Sequence, residues 1–260
     1  MQKTINLIIV LLFLVCTTAC RKVINIDLNT ASPKYVIEGT VTDAAGAYQV
    51  KITQTKNFSE NNTFAGISGA QVTISDNAGN TTLLTEGAAG YYTSTGMTGV
   101  PGRTYYLSVK IGNESFQAVS TMPAPVTFDT LYVERYAEFG DTLRVATLGY
   151  TDPAAVKNYY RHVMYINNKY VKDIFISDDE LNDGKKVEQA IFSNGDAEIK
   201  QGDSVKVEMQ CIDANVYKYF FTLIQTISQN SAAPTNPVNN IEGALGYFSA
   251  HSVQVKRTKS

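Results

Sequence analysis

Alternating apolar and polar residues over positions 35–122 are the feature that most constrains the fold of this chain. Every second residue of 104–111 is apolar: Tyr105, Leu107, Val109 and Ile111. That is the period of a strand with one buried face. Turn-forming residues, as at 77–80 and 100–103, separate such segments at intervals of about ten residues. This spacing predicts a β-sandwich.

Two prolines within residues 122–126 mark the strongest candidate boundary, because neither can join a central strand. The boundary predicts a first domain over 35–122 and a second over 123–260. The first domain opens with a predicted hairpin of strands 35–41 and 48–54. The second contains further alternating segments and is expected to be β-rich as well.

Two segments lack regular periodicity and are candidates for ligand or partner contact. Residues 57–69 are polar apart from scattered apolar residues that include Phe58 and Phe64, and long loops of this kind are often functional. The alternative is that the two rings pin the loop to its own domain. Residues 230–247 are rich in Pro and Asn and end in Tyr247, although turn chemistry alone explains that composition.

Residues 214–229 form the one convincing helix pattern after the N-terminal region. Asp213 occupies the position of an N-cap. Apolar residues follow at helical spacing: Val216, Phe220, Leu223, Ile224 and Ile227. The stripe predicts a helix that covers one sheet of the second domain, with a partner-binding surface as the alternative.

The N-terminal residues predict export and lipidation. Lys3 precedes an apolar run of roughly eleven residues, which is shorter than the roughly 20 residues that a transmembrane helix needs. Small residues then lead into Cys20, as in a bacterial lipoprotein signal. We expect cleavage after residue 19, lipid on Cys20 and a tether over 20–34. Ordinary cleavage and an uncleaved start are the alternatives.

The composition and the motifs argue against several function classes. A net charge of -2 offers no basic field for nucleic acid. Cys211 would be the only thiol left after lipidation, and it lies in phase with apolar residues, so we expect it in a core. His162 and His251 form no zinc pattern, and no nucleotide or hydrolase motif occurs, so we expect no metal, no cofactor and no enzyme activity. The acidic residues 177–184 depart from a calcium loop and predict a solvated turn.

Ordered landmarks along the chain resemble those of known exported proteins. They are residues 20–28, 35–43, 67–76, 100–105, 120–126 and 236–248. The segments 67–76 and 100–105 resemble prealbumin-like and Ig-like sandwiches. The whole set looks like a family of Bacteroidetes lipoproteins of unknown function that are found beside TonB-dependent outer-membrane receptors.

The resemblance implies an outer-membrane location and a receptor partner, and it supplies no catalytic residue. Arg21 stands where an acidic residue favours surface export, so the cell surface and a periplasm-facing location both stay open. Export in that lineage also implies O-glycosylation at Asp-Ser/Thr-aliphatic triplets. Three triplets fit, centred on Thr130, Thr142 and Ser204.

The expected function is that of an accessory or ligand-capturing lipoprotein of a TonB-dependent receptor. Two alternatives come from other classes. A structural or adhesive surface protein would use its sandwiches as spacers. A hydrolase would need two carboxylates facing one cleft, which no sequence pattern excludes.

Overall fold

Strands dominate the protein, and the computed structural model describes residues 32–44, 48–57, 60–61, 63–138, 141–193, 197–228 and 236–260. In those ranges the strands are β1 (Tyr35–Thr42), β2 (Tyr48–Gln54), β3 (Gln71–Asp76), β4 (Thr81–Leu83), β5 (Thr85–Glu86), β6 (Tyr91–Thr93), β7 (Thr104–Ile111), β8 (Glu114–Thr121), β9 (Phe128–Glu138), β10 (Asp141–Thr151), β11 (Tyr159–Ile166), β12 (Lys169–Tyr170), β13 (Phe175–Asp178), β14 (Lys186–Ile191), β15 (Ser204–Ile212), β16 (Ile241–Glu242) and β17 (Leu245–Lys259). The described helix is α1 (Ala214–Ile227). The predicted mainly β fold is confirmed.

The strands form three sheets. The largest runs β12-β11-β15-β17-β1-β2-β6-β5, and β13 also pairs with β11. A second sheet has the order β16-β8-β7-β3-β4, and a third has the order β14-β10-β9. Each smaller sheet shares a hydrophobic cluster with a different part of the large sheet, so the chain has two main cores.

The first core fills a sandwich between β1, β2 and β17 on one side and β3, β7 and β8 on the other. In β7 the side chains of Tyr105, Leu107 and Val109 are buried, whereas Ser108 and Lys110 are exposed. The predicted sandwich and its inward residues are therefore confirmed. Such alternation arises because successive side chains of a strand point to opposite faces.

The second core lies between the sheet β14-β10-β9 and strands β11 and β15. Leu148, Tyr150, Met164 and Val207 are all nearly inaccessible there. Cys211 is also buried in this cluster, as expected.

Strand β17 links the two cores, because it contributes to the first and pairs with β15 of the second. Its first half pairs in parallel with β1, from Val36 with Leu245 to Thr42 with His251. Its second half pairs antiparallel with β15, from Cys211 with Ser252 to Ser204 with Lys259. Residues Pro33–Ser260 accordingly form one compact unit by contact density.

The shared strand corrects the predicted range of the second domain. The change from one core to the other does fall near residues 122 and 123. However, Ile241, Ala244 and Phe248 belong to the first core, although they lie within the predicted range 123–260. Alternation within a strand gives its buried face and leaves its pairing partners undefined.

The helix covers the outer face of the large sheet beside β11, β13 and β17. Val216, Tyr219 and Phe220 are its buried residues. The predicted helix is confirmed, with its end at Ile227 rather than residue 229. Ile227 is 64% exposed, so the predicted apolar stripe is wrong at that position.

Candidate interaction surface

The segment 236–244 connects α1 to β17 and is held rigidly by side-chain amides. The Asn240 amide nitrogen donates to the carbonyl oxygen of Phe248 at 2.7 Å, and its oxygen accepts from the Phe248 N–H at 2.9 Å. Asn239 accepts from the Gly246 N–H at 2.9 Å. On the helix side, the Thr222 hydroxyl accepts from the Val238 N–H at 2.9 Å. The two asparagines thus satisfy backbone groups at the start of β17, and Thr222 satisfies one in the segment itself.

Gly246, at the start of β17, lets the chain that follows the segment lie close to β1. Its φ of +103° is unfavourable for other residues. A Cβ atom there would lie 2.0 Å from the carbonyl oxygen of Ile37. Only glycine therefore fits this position of β17.

Two open grooves lie on either side of the segment. The first, of about 350 Å³, is bounded by β8, by the first turns of α1 and by the segment. Its wall includes Gln117, Val119, Asn215, Lys218, Asn239 and Glu242. Lys218 and Glu242 are both exposed, so the wall offers one charge of each sign among amides.

The second groove, of about 510 Å³, lies beside the start of the described chain. Its lining includes Pro33, Tyr35, Gln54, Glu114 and Asn236. Tyr35 packs its ring edge-on against Phe116, at 5.4 Å between centroids. The groove wall is therefore anchored to the first core.

Asp213 fixes the helix wall of the first groove. One carboxylate oxygen accepts from the backbone N–H groups of Asn215 and Val216, both at 2.9 Å, which confirms the predicted N-cap. The other accepts from the Ser120 hydroxyl and from the Thr121 N–H. Since Ser120 lies on β8, one side chain joins the helix to the first sandwich.

Tyr247, a predicted contact residue, packs beneath the helix. Its ring centroid lies 5.1 Å from that of Tyr219 and 4.9 Å from that of Phe220. The Arg161 guanidinium lies 4.4 Å from the Phe220 ring. Burial raises the pKa of Tyr247, so its phenol stays neutral. In this position Tyr247 supports the helix that lines the first groove.

The other predicted aromatic contacts lie elsewhere. Phe64 is 54% exposed in the loop between β2 and β3. The loop is anchored near Phe64 by Ile67. The Ile67 N–H donates to the Ile52 carbonyl oxygen at 2.9 Å, and the Ile67 carbonyl oxygen accepts from the Tyr92 hydroxyl at 2.9 Å. No ring contact between Phe64 and Tyr247 occurs in the described part of the chain. Phe58 lies outside the described residues.

Both histidines are core residues. His162 and His251 are 1% and 3% exposed, and burial lowers their pKa values to about 4 and about 3. The Ser249 hydroxyl lies 2.8 Å from Nδ1 of His251, whereas neither ring nitrogen of His162 has a hydrogen-bond partner among the described residues. Burial also raises the pKa of the Cys211 thiol. These groups are packed into the sheet and open onto neither groove.

The predicted modification sites are placed only in part. Thr130 in β9 and Ser204 at the start of β15 are exposed. Cys20 and the Thr142 side chain lie outside the described residues, and lipidation and glycosylation stay predictions. None of the helical structure described has the length and apolarity of a membrane span.

The grooves were missed by the sequence reasoning. Lys218 lay on the polar side of the predicted helix, and Gln117 and Val119 lay on the outward face of a sandwich strand. Only the Pro- and Asn-rich composition of 230–247 pointed to this part of the chain. Its pairing with β8 through β16 is a long-range contact without a local signal.

Comparison with known proteins gives a family without an assigned function. No curated protein matches the chain. A solved segment of two fibronectin type III domains from chicken tenascin is similar over 88% of this chain and 100% of its own, with 10% identity and a TM-score of 0.26. That TM-score is too low to bear on function. The family described as domain of unknown function DUF4249 matches residues 21–257, and the protein belongs to that family.

Proposed function

We propose that the protein is a lipid-anchored outer-membrane protein that acts, without enzyme activity, as an accessory or ligand-capturing partner of a TonB-dependent receptor. The observation that carries the proposal is the rigid segment 236–244 with an open groove on each side. Both grooves are open; the first is lined largely by amides and single charges, and the second combines such groups with apolar residues such as Tyr35, Ile241 and Leu245. Such a surface suits a protein partner or a polar ligand better than a small apolar substrate, whose sites are enclosed and mostly apolar.

Rigidity of the segment supports a binding role. The side chains of Asn239 and Asn240 tie it to the backbone of β17, and Thr222 accepts from the Val238 N–H. Because the surface is ordered before binding, a partner loses less conformational entropy when it docks. Loops carried on a rigid β scaffold are a common location for binding residues.

The position of the second groove fits a lipid anchor on Cys20. Pro33, which lines that groove, lies thirteen residues after Cys20 (33 − 20). A fully extended tether of that length spans at most about 45 Å. The groove would therefore face partners in or near the membrane surface.

The proposal is tested by co-purification from detergent-solubilised membranes. The full-length protein should bring down a TonB-dependent receptor, and Lys218→Glu should reduce the recovered receptor at least fivefold, because it reverses the charge of one groove wall. Lys110→Glu makes the same charge change on an exposed face of β7 and should have no effect. No receptor with the wild type under any growth condition would refute the proposal.

The anchor is tested separately. Cys20→Ala should abolish the incorporation of labelled palmitate and release the protein from the membrane fraction. A variant that is still labelled and still sediments with membranes would contradict lipidation at Cys20. Both results are independent of the receptor experiment.

The alternative of a structural or adhesive sandwich makes a different prediction. It requires no partner at segment 236–244, so Lys218→Glu and Lys110→Glu should behave alike in every binding assay. Equal recovery of partners with both variants would favour that alternative.

A further inference from the structure

Three aspartates from two loops meet at one end of the second core. Asp152 follows β10, whereas Asp179 and Asp183 lie between β13 and β14. One carboxylate oxygen of each lies within 4.8 Å of the other two. Asp152 and Asp179 are 2% and 3% exposed, and Asp183 is exposed. The prediction that residues 177–184 form a solvated turn is therefore wrong at Asp179.

Asp152 provides the observation that points to a ligand. Its Oδ1 accepts a hydrogen bond from the Tyr160 hydroxyl at 2.5 Å. Its Oδ2 is buried and has no hydrogen-bond partner among the described residues. A buried carboxylate oxygen without a donor is unfavourable, and native proteins pair such groups or use them to bind a cation. The partner missing from Oδ2 must be positively charged or a donor.

Lys157 supplies only part of the required positive charge. Its Nζ lies 2.5 Å from Asp179 Oδ1, and its side chain is 54% exposed. One ammonium and three carboxylates leave a formal charge of −2. Because about half of the lysine side chain lies in solvent, its ammonium can move away from Asp179 when a cation takes its place.

Backbone bonds hold the two loops in register around the carboxylates. The Asp152 N–H donates to the carbonyl oxygen of Lys185 at 2.9 Å. The Ala155 N–H donates to Asp183 Oδ1 at 2.7 Å, and the Asn158 N–H donates to Asp179 Oδ2 at 2.8 Å. The three carboxylates are thus oriented before any ion binds.

The geometry points to a Ca²⁺ site formed by Asp152, Asp179 and Asp183. Ca²⁺ binds oxygen ligands at about 2.3–2.6 Å, so two ligands of one ion lie up to about 5 Å apart, which accommodates the observed spacing. Mg²⁺ demands near-ideal octahedral geometry and usually keeps several of its waters, and among the described residues the cluster offers no imidazole or thiolate, which disfavours Zn²⁺. Water from the adjoining open groove, of about 350 Å³, would complete the coordination.

Tb³⁺ luminescence tests the site directly. The full-length protein, purified in detergent and freed of metal with a chelator, is titrated with Tb³⁺ while tyrosine is excited. The chain has no Trp, and Tyr160 is hydrogen-bonded to a ligand, so bound Tb³⁺ should be sensitised by tyrosine alone. Ca²⁺ should displace the signal with a Kd on the order of 10⁻⁴–10⁻³ M.

Matched variants identify the ligands. Asp183→Asn removes the exposed ligand and should weaken Ca²⁺ binding at least tenfold. Glu180→Gln removes one charge from the same exposed loop, outside the three ligands, and should change affinity less than twofold. Asp152→Asn should abolish binding, and Lys157→Met should tighten it about tenfold, because the competing ammonium is gone.

The following outcomes distinguish a specific Ca²⁺ site from a non-specific attraction of cations to acidic residues. Ca²⁺ at ten times its Kd should raise the Tm by about 3–6 °C. No Tb³⁺ emission with either the wild type or Lys157→Met would refute the site. Equal losses in Glu180→Gln and Asp183→Asn would show diffuse attraction and also refute it, and equal displacement by Mg²⁺ would overturn the assignment to Ca²⁺.

Discussion

The two cores differ in how their buried ionisable groups are paired. In the first core the buried carboxylate Asp76 is fully satisfied, by Asn80, by the backbone of its own turn and by Arg103 at 2.8 Å. In the second, His162 and one oxygen of Asp152 are buried without a hydrogen-bond partner among the described residues. The first core is therefore expected to depend mainly on apolar packing. The second is expected to respond also to pH and to cations.

This difference in chemistry does not make the two cores independent, because one strand links them. Strand β17 pairs with β1 in one half and with β15 in the other. Loss of either core would leave one edge of β17 without its hydrogen bonds. The two cores therefore differ in chemistry but are expected to unfold as one cooperative unit.

Truncation of either core should have the largest effect. Phe248→Ala in the first core should lower the free energy of unfolding by about 3–5 kcal/mol, and Met209→Ala in the second by about 2–5 kcal/mol, because both side chains are almost fully buried. Urea unfolding followed by tyrosine fluorescence should give a single transition in both variants. Two transitions, of which only one shifts, would show that the cores unfold independently.

Acid should destabilise the protein through its histidines. His162 and His251 are neutral when folded, with pKa values of about 4 and about 3, but titrate near 6.5 when unfolded. The unfolded state thus binds more protons below about pH 6.5, so the stability is complete above that pH. It should fall by about 1.4 kcal/mol per pH unit for each histidine as the pH drops towards 4.

His162→Leu separates this effect from general acid sensitivity. It removes two unpaired ring nitrogens, so stability at pH 7 should stay the same or rise. Between pH 6.5 and 4 the slope due to the histidines should be roughly halved, because only His251 remains. An unchanged slope in urea titrations across that range would contradict the neutral buried state of His162.

Removal of the helix cap should have a smaller effect. Asp213→Ala should cost about 1–2 kcal/mol, since the N–H groups of Asn215 and Val216 lose their acceptor. Asp213→Asn keeps a capping oxygen and should cost less. Because Asp213 also accepts from Ser120, hydrogen exchange at the start of α1 and in β8 should increase together. An increase in α1 alone would show that this bond does not couple the two regions.

The smallest effect is expected for the ion pair of the first core. Arg103→Met should cost about 0.5–1 kcal/mol, because Asp76 retains its bonds to Asn80 and Ala78. High salt should reduce the difference between wild type and variant. A cost above about 3 kcal/mol in urea unfolding would mean that this core also depends on charge pairing.

Local features of the fold could be predicted from the sequence. The alternation in β7 and the helix with Asp213 at its start depend on side chains a few residues apart, and both are confirmed. The exposed end of the helix was not predictable in the same way. Ile227 continues the apolar spacing, but the sheet beneath the helix offers it no buried position.

Long-range features were not predictable. Asp152 and Asp179 lie 27 residues apart (179 − 152), and the pairing of β10 with β14 and of β11 with β13 brings their loops together. The two partners of β17 are also distant in sequence: Val36 pairs with Leu245, 209 positions away (245 − 36), and Cys211 with Ser252, 41 positions away (252 − 211). For the interaction surface, the composition of 230–247 indicated the segment, whereas the strands and the helix that complete its grooves came only from the structure.

The parallel pairing of β1 with β17 also has a kinetic consequence. Val36 and Leu245 are partners although 209 positions separate them (245 − 36). Contacts of such high sequence separation form slowly, since a large loop must close before any pairing energy is gained. The first strand therefore cannot complete its sheet until residues 245–251 have been made. The first core is therefore the part of the protein that completes its folding late, after its C-terminal strand becomes available.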